Sequence, residues 1–323
     1  MPELTRRNLM RAAVAAGVGA ALGGMPSLTR AGTADAGTTQ PVPPTPPGAF
    51  RIAHLTDMHV DPSRRGDAGF ALALRSLEAY RPSLILTGGD HVMDASGQEK
   101  HQAVAWYDAY EKTLAENTQL PTFPCIGNHD VYGWTTKTAS PADKDFGKAM
   151  ALDRLKLKQR YYSFDRGGWH FVILDNIMRR EPLYYGNLDA EQTEWLKADL
   201  AANKLPAVVM THIPLLSITS MFDGGKKSEG NAYSTSDANM HHNVRPLLKL
   251  LAANRVKLCL SGHMHQVDQV EYLGITFCCN GAVCGNWWTG PHLEFPEGYG
   301  IVDLYPDGTF ENHYVTYGWH AKA

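Results

Sequence analysis

The chain has 323 residues, a formal net charge of -3, 44% hydrophobic residues and 20% charged residues. That length allows one large domain or two smaller ones, and the composition is that of a globular protein with a real core. The near-neutral balance, without any Lys/Arg run, excludes an electrostatic footprint for duplex nucleic acid.

Taken in chain order, the first segment stands apart from the fold. Thr5-Arg6-Arg7-Asn8-Leu9-Met10-Arg11 is a twin-arginine pattern, followed by the weakly apolar stretch Ala12 to Gly24 and the small-x-small site Ala34-Asp35-Ala36. Residues 1–36 therefore read as a twin-arginine signal peptide, with a mature start near Gly37 and a periplasmic or secreted location. The apolar stretch is short of the ~20 residues a membrane span needs, and no later segment is apolar enough to be one. Gly37 to Gly48 carries Pro41, Pro43, Pro44, Pro46 and Pro47 and reads as a linker, which leaves 49–323 as a single domain.

From Phe50, short apolar strands alternate with amphipathic helices. The strands are Arg51 to Thr56, Leu84 to Thr87 and Thr122 to Ile126; the helices are Phe70 to Tyr80 and Gln102 to Glu116. Such alternation predicts βαβ units and a largely parallel sheet, an α/β fold. The rhythm then changes. Tyr161 to Phe164 and Trp169 to Asp175 flank Asp165-Arg166-Gly167-Gly168, a hairpin signal. Asp189 and Gln192 form a capping-box arrangement at the start of a helix over Ala190 to Ala201. Strand Ala207 to Met210, a helix around Val244 to Ala253 and strand Val256 to Leu260 follow. Antiparallel strands fill Gln269 to Val315, with turns at Asn280-Gly281 and Pro306-Asp307-Gly308.

Thr219 to Met240 is rich in Gly, Ser, Asn and Lys, and reads as a flexible cover over a site or as a disordered surface loop. Cys125 and Cys259 sit in core strands as small buried thiols; a disulfide among Cys278, Cys279 and Cys284 stays open in an oxidising compartment.

Fourteen histidines is a high count, and their placement matters more. Asp57 and His59 follow the first strand, Asp90 and His91 the second, and Gly127-Asn128-His129-Asp130 the third. His212 follows a later strand, and Gly262-His263-Met264-His265 the last. Ligands of α/β sheets bind beyond the carboxyl ends of the strands, so five strand ends deliver carboxylate, imidazole and amide groups to one edge. Imidazole and carboxylate without thiolate suit Zn, Fe, Mn or Co, and seven ligands are too many for one ion with an open position. They fit two ions sharing a carboxylate, the clamp used in phosphoryl transfer. His54 and His170, inside strands, read as structural; His101, His241, His242, His313 and His320 have no local motif.

Asp57-x-His59, Gly89-Asp90, Gly127-Asn128-His129-Asp130, His212 and Gly262-His263-x-His265 together resemble, in order, the five blocks of the calcineurin-like metallophosphoesterase superfamily. The resemblance implies a four-layer α/β/β/α sandwich of two mixed sheets. It implies Asp57, His59, Asp90 and His265 as ligands of one metal, and Asp90, Asn128, His212 and His263 as ligands of a second, with Asp90 bridging. A hydroxide shared by the two ions would attack phosphorus in line, His129 would assist the leaving oxygen, and Asp130 would orient His129.

Met93 stands where purple acid phosphatases have a ligating tyrosine, and Asp130 replaces the glutamate typical of the protein phosphatases. The pattern is similar to the bacterial cyclic-nucleotide phosphodiesterase branch, which implies a small phosphodiester substrate, a nucleotide or a lipid head group. A nucleotide pyrophosphatase, a phospholipase-like diesterase, a phosphomonoesterase or a non-catalytic metal- or phosphate-binding protein are the alternatives. Candidate substrate contacts are His91, His292 and the pair Trp287-Trp288, which either stacks a base or packs the edge of the sandwich.

Overall fold

Each apolar run from Phe50 on forms the element its periodicity dictates, and two sheets result. A computed structural model describes residues 43–181, 183–219 and 236–321; the signal-peptide reading of 1–36 and most of the expected cover at Thr219–Met240 lie outside them. In chain order come β1 (Phe50–Leu55), α1 (Gly66–Ser76), β2 (Ile85–Thr87), α2 (Lys100–Asn117), β3 (Thr122–Pro124), α3 (Lys148–Arg154) and β4 (Tyr162–Arg166). Then follow β5 (Trp169–Ile173), β6 (Ile177–Arg180), β7 (Leu183–Gly186), α4 (Ala190–Ala202), β8 (Ala207–Met210) and α5 (Arg245–Ala252). The last five are β9 (Val256–Ser261), β10 (Asp268–Tyr272), β11 (Ile275–Cys279), β12 (Gly298–Leu304) and β13 (Phe310–Thr316).

One sheet has the order β13-β12-β1-β2-β3, with β1, β2 and β3 parallel and the other two antiparallel. The other has the order β10-β11-β9-β8-β5-β4, parallel except for its two edge strands. The period-2 alternation of the strands sorts their side chains into three apolar interfaces. Ile52, Leu86, Phe171, Ile173, Val208, Met210, Leu258 and Leu260 meet between the sheets. Ala53 and Leu55 face Phe70, Leu74 and Tyr107 of α1 and α2. Val172 and Val209 face Leu196, Leu248 and Leu251 of α4 and α5. Three cores between four layers make the α/β/β/α sandwich, two mixed sheets flanked by helices. Each fully buried Leu, Ile or Phe contributes ~1.5–3 kcal/mol by leaving water.

Local signals held where the chemistry was local. Gly167 and Gly168, both at positive φ, make the two-residue turn between β4 and β5, and Pro306-Asp307-Gly308 turns β12 into β13. Asp189 accepts from the N–H of Gln192 at 2.8 Å, a cap of ~1 kcal/mol. The reciprocal half of the box is absent: the Gln192 amide instead pairs with the backbone N–H and C=O of Asp175. Asn280-Gly281 is not a hairpin turn. β10 and β11 turn at Leu273-Gly274, and β11 joins β9 in parallel, so Asn280 is carried inward to His54 and Asn312. The sequence reading did not anticipate α3 or the small β6–β7 hairpin. All five cysteines are separate buried thiols. Among the described residues, no helix is long and apolar enough to cross a membrane.

Candidate metal centre

The five strand ends anticipated from the sequence do meet at one edge, and three of them turn there in an unusual way. Asp57, His59, Asp90, His263 and His265 all have positive φ, between 41° and 70°. This left-handed region is disfavoured for residues other than glycine, and such strain concentrates where a site over-determines it. The turn swings each side chain out of the sheet's alternation and into a common space. The glycines of the motifs make room for it. A Cβ on Gly127 would lie 2.1 Å from Asp90 Oδ1, and one on Gly262 would lie 2.0 Å from Thr56 Oγ1 and 2.2 Å from Asp57 Oδ2.

The seven side chains form two groups that share Asp90. In the first, His59 Nε2 lies 3.2 Å from His265 Nε2, 3.6 Å from Asp90 Oδ2 and 3.9 Å from Asp57 Oδ1. In the second, His212 Nε2 lies 3.1 Å from Asp90 Oδ2, 3.0 Å from Asn128 Oδ1 and 3.2 Å from His263 Nδ1. Tautomers follow from the outer nitrogens. Nδ1 of His59, His212 and His265 each donates to a backbone carbonyl, of Met93, Gly88 and Gly285 respectively. Carbonyls only accept, so the three Nε2 atoms present lone pairs inward. Asp57 Oδ1, buried beside them, has no hydrogen-bond partner. Lone pairs and carboxylate oxygens 3–4 Å apart repel unless positive charge, a proton or a metal ion, lies between them, as the 3.3 Å approach of His265 Nε2 to Asp57 Oδ1 shows. The residues present fit metal ions in both groups, and clusters His59–His265–Cys284, Asp57–His59–Asp90 and Asp90–His212–His263 each bring donor atoms within 4.8 Å.

Electrostatics agree. Burial drives His59 and His263 down to about 3, keeping both imidazoles neutral and able to ligate. The same burial acts on His212, but the Asp90 carboxylate overrides it and holds that ring up at about 9. Without a cation the cluster takes up a proton instead; the centre demands positive charge.

His129 stands at the open side, 24% exposed, with Nδ1 3.1 Å from Asp94 Oδ1. Burial opposes its protonation, yet Asp90 and Asp94 raise its pKa. Asp130 does not orient it. The Asp130 carboxylate turns under the loop and accepts from the backbone N–H groups of Gly127 (2.8 Å), Asp90 (3.0 Å) and His91 (2.8 Å), and meets His91 Nδ1 at 2.9 Å. Asp130 thus ties the second strand-end loop to the third. His91 is no substrate contact either: it is fully buried, with Nε2 2.8 Å from Thr87 Oγ1.

The tryptophan pair divides its roles. Trp288 is buried, donates Nε1–H to the His59 carbonyl at 2.9 Å and packs on Trp319 and on Gly69, where a Cβ would come within 2.1 Å of its ring. Trp287 points the other way and is partly exposed, with ring centroids 4.0 Å from His59, 5.1 Å from His129 and 5.4 Å from His265. His292 lies 5.7 Å from the His265 ring. Cys284 packs behind His265, Sγ 3.9 Å from Nδ1.

Two residues at the site escaped the sequence reading. Asp94 follows Asp90 in the same loop, and a second carboxylate there was a signal to use. Tyr184, on β7, meets the His263 ring edge-on at 6.1 Å, and burial together with Asp90, Asp94 and Asp57 raises its hydroxyl's pKa. Leu183-Tyr184-Tyr185 carries no motif that could have shown it.

The calcineurin-like phosphoesterase family profile matches residues 50–267, and the chain belongs to that family. A 3',5'-cyclic-nucleotide phosphodiesterase of Nostoc sp. is 27% identical over 278 residues, covering 80% of this chain and 89% of the relative. A probable cyclic nucleotide phosphodiesterase of Xenorhabdus bovienii is 22% identical, covering 69% and 78%. Among solved structures, a dimetal phosphatase from Danio rerio superposes with a TM-score of 0.58 at 13% identity, covering 83% of this chain and 99% of that one. That likeness speaks for the fold alone.

Proposed function

We propose that the chain is a dinuclear-metal phosphodiesterase. The observation that carries this reading is the pair of donor groups sharing Asp90 Oδ2, with the lone pairs of His59, His212 and His265 turned inward. Asp57, His59, Asp90 and His265 would hold one ion, and Asp90, Asn128, His212 and His263 the other. Two such ions, when bound, would supply a nucleophile from water at neutral pH and neutralise charge on the phosphoryl oxygens. The protein's own groups do the rest. His129, whose pKa the Asp90 and Asp94 carboxylates raise against burial, would give a proton to the departing oxygen. Asp130 and His91 hold the Asp90 and Asn128 loops in mutual register. The names of the Nostoc and Xenorhabdus relatives support a phosphodiester, of the nucleotide class, as substrate. The Arg6-Arg7 segment supports export by the twin-arginine route, which cell fractionation after Arg6→Lys/Arg7→Lys would test.

The experiment is hydrolysis of bis-p-nitrophenyl phosphate against p-nitrophenyl phosphate by protein stripped of metal and reconstituted with Mn, Zn, Fe or Co. Metal-dependent turnover favouring the diester and lost in Asn128→Ala is the expected result, while His129→Ala should lose chiefly the turnover of diesters with alkyl leaving groups. Preference for the monoester moves the reading to a phosphatase, and no turnover with two ions bound refutes catalysis.

A further inference from the structure

The loop Gly285–Gly290 places two consecutive tryptophans at positive φ, Trp287 at 55° and Trp288 at 70°. A loop that only needed an apolar plug would use one. Trp288 is that plug, wedged against Gly69 and Trp319 with its N–H bonded to His59. The loop is closed by Trp288 N–H to Cys284 O at 2.8 Å and by Asn286 N–H to Gly290 O at 2.8 Å. So anchored, it leaves Trp287 at the edge of the helix-side core, partly exposed, with its carbonyl held by Arg64 at 3.3 Å. The ring forms a wall over the first donor group, tilted 44° on His59 and 32° on His265, and near-perpendicular (78°) to His129.

The neighbour that matters is His129. If His129 protonates the departing oxygen, the leaving alcohol starts within hydrogen-bond reach of that imidazole, and its next atoms run along an indole centred 5.1 Å away. Proton donor and aromatic wall stand side by side at the first donor group. We propose that Trp287 is the stacking platform for the leaving group, so that the preferred substrates are phosphodiesters whose leaving alcohol carries a planar ring, as a nucleoside does. This rests on the phosphodiesterase reading and narrows it: acyclic glycerol or choline esters offer nothing to stack. Base–aromatic stacking tolerates any base and is lost on truncation to alanine, by about 5- to 150-fold in affinity.

The test is calorimetric titration of the metal-reconstituted protein with AMP, ribose 5-phosphate and inorganic phosphate. In the wild type, AMP should bind about 5- to 150-fold tighter than ribose 5-phosphate. In Trp287→Ala that ratio should collapse to about one, while affinity for phosphate stays within about twofold; Trp287→Phe should fall between. The platform is refuted if the wild type ignores the base or binds none of the three. It is equally refuted if Trp287→Ala weakens all three ligands alike, since the ring then only props His59 and His265. Turnover of bis-p-nitrophenyl phosphate by the wild type reports separately on the reaction. Base-dependent binding without turnover would sink the phosphodiesterase reading, and the leaving-group role with it, and leave Trp287 as the base-stacking wall of a binding site.

Discussion

Replacing Asp94 by Asn separates the two carboxylates that could serve His129. The pair lies 3.1 Å apart with His129 24% and Asp94 30% exposed. Unit charges at that distance interact by about 5 kcal/mol at an effective dielectric of 20 and about 1 kcal/mol in bulk water. Partial exposure places the effect in the lower part of that range, about 1–2 kcal/mol. Asn keeps the side-chain oxygen that receives the N–H of Ser96 at 3.1 Å, so the loop should hold its shape. The expected outcome is a fall in kcat of about 5- to 30-fold for diesters with alkyl leaving groups, which need the proton. Esters of p-nitrophenol, which leave without help, should change by less than about twofold. The melting temperature should not move. Asp130→Ala should do the opposite. It leaves the buried N–H groups of Gly127, Asp90 and His91 unpaired, at about 1–3 kcal/mol each, and should lower Tm by roughly 10 °C. Kinetics on the two ester classes together with differential scanning calorimetry read both effects. Leaving-group-dependent loss in a stably folded Asp130 variant, with Asp94→Asn silent, would refute the assignment of Asp94 as the partner of His129.

Three further outcomes are expected. Tyr184→Phe keeps the ring against His263 and removes a hydroxyl that lies near the Asp90, Asp94 and Asp57 carboxylates; KM should rise about 10-fold or more with kcat little changed, as for a lost hydrogen bond to a charged group, and unaltered steady-state kinetics would count against a substrate contact. Chelation should lower Tm by roughly 5 °C, because saturating cations at about 100 times Kd contribute ~2.7 kcal/mol, and an unchanged melting curve would mean that no bound metal stabilises the fold. His170, between Asp199 (2.8 Å) and Asp165 (2.6 Å), has its pKa raised against burial by those carboxylates; a raised folded pKa stabilises fully below the unfolded value of ~6.5 and is lost as pH rises through the folded one. Tm should therefore fall with rising pH above about 6.5, and this component should vanish in His170→Gln, a difference that thermal melts across pH would expose.

The chemistry of the site was legible because it is local. Each block couples an apolar run to a glycine and a polar residue at the point where a strand must end, and a chain does not choose His, Asp and Asn together for turning alone. The alternation within β1, β5, β8 and β9 likewise encoded two buried faces per strand, and hence layers on both sides of each sheet. What each of these side chains touches was decided elsewhere. Adjacent His129 and Asp130 diverge, one to the open face and one beneath the loop, because the backbone N–H groups of Gly127, Asp90 and His91 capture the Asp130 carboxylate. Trp287 and Trp288 part in the same way, because Gly69 leaves a slot on α1 that only the second can fill. Tyr184 reaches His263 from a four-residue strand too short to announce itself, across 79 positions of chain. The sequence by itself determined which groups gather at the edge of the sheets, since backbone geometry and residue type are local properties. Only the tertiary structure decided which of them pair, since that turns on distances between segments far apart in the chain.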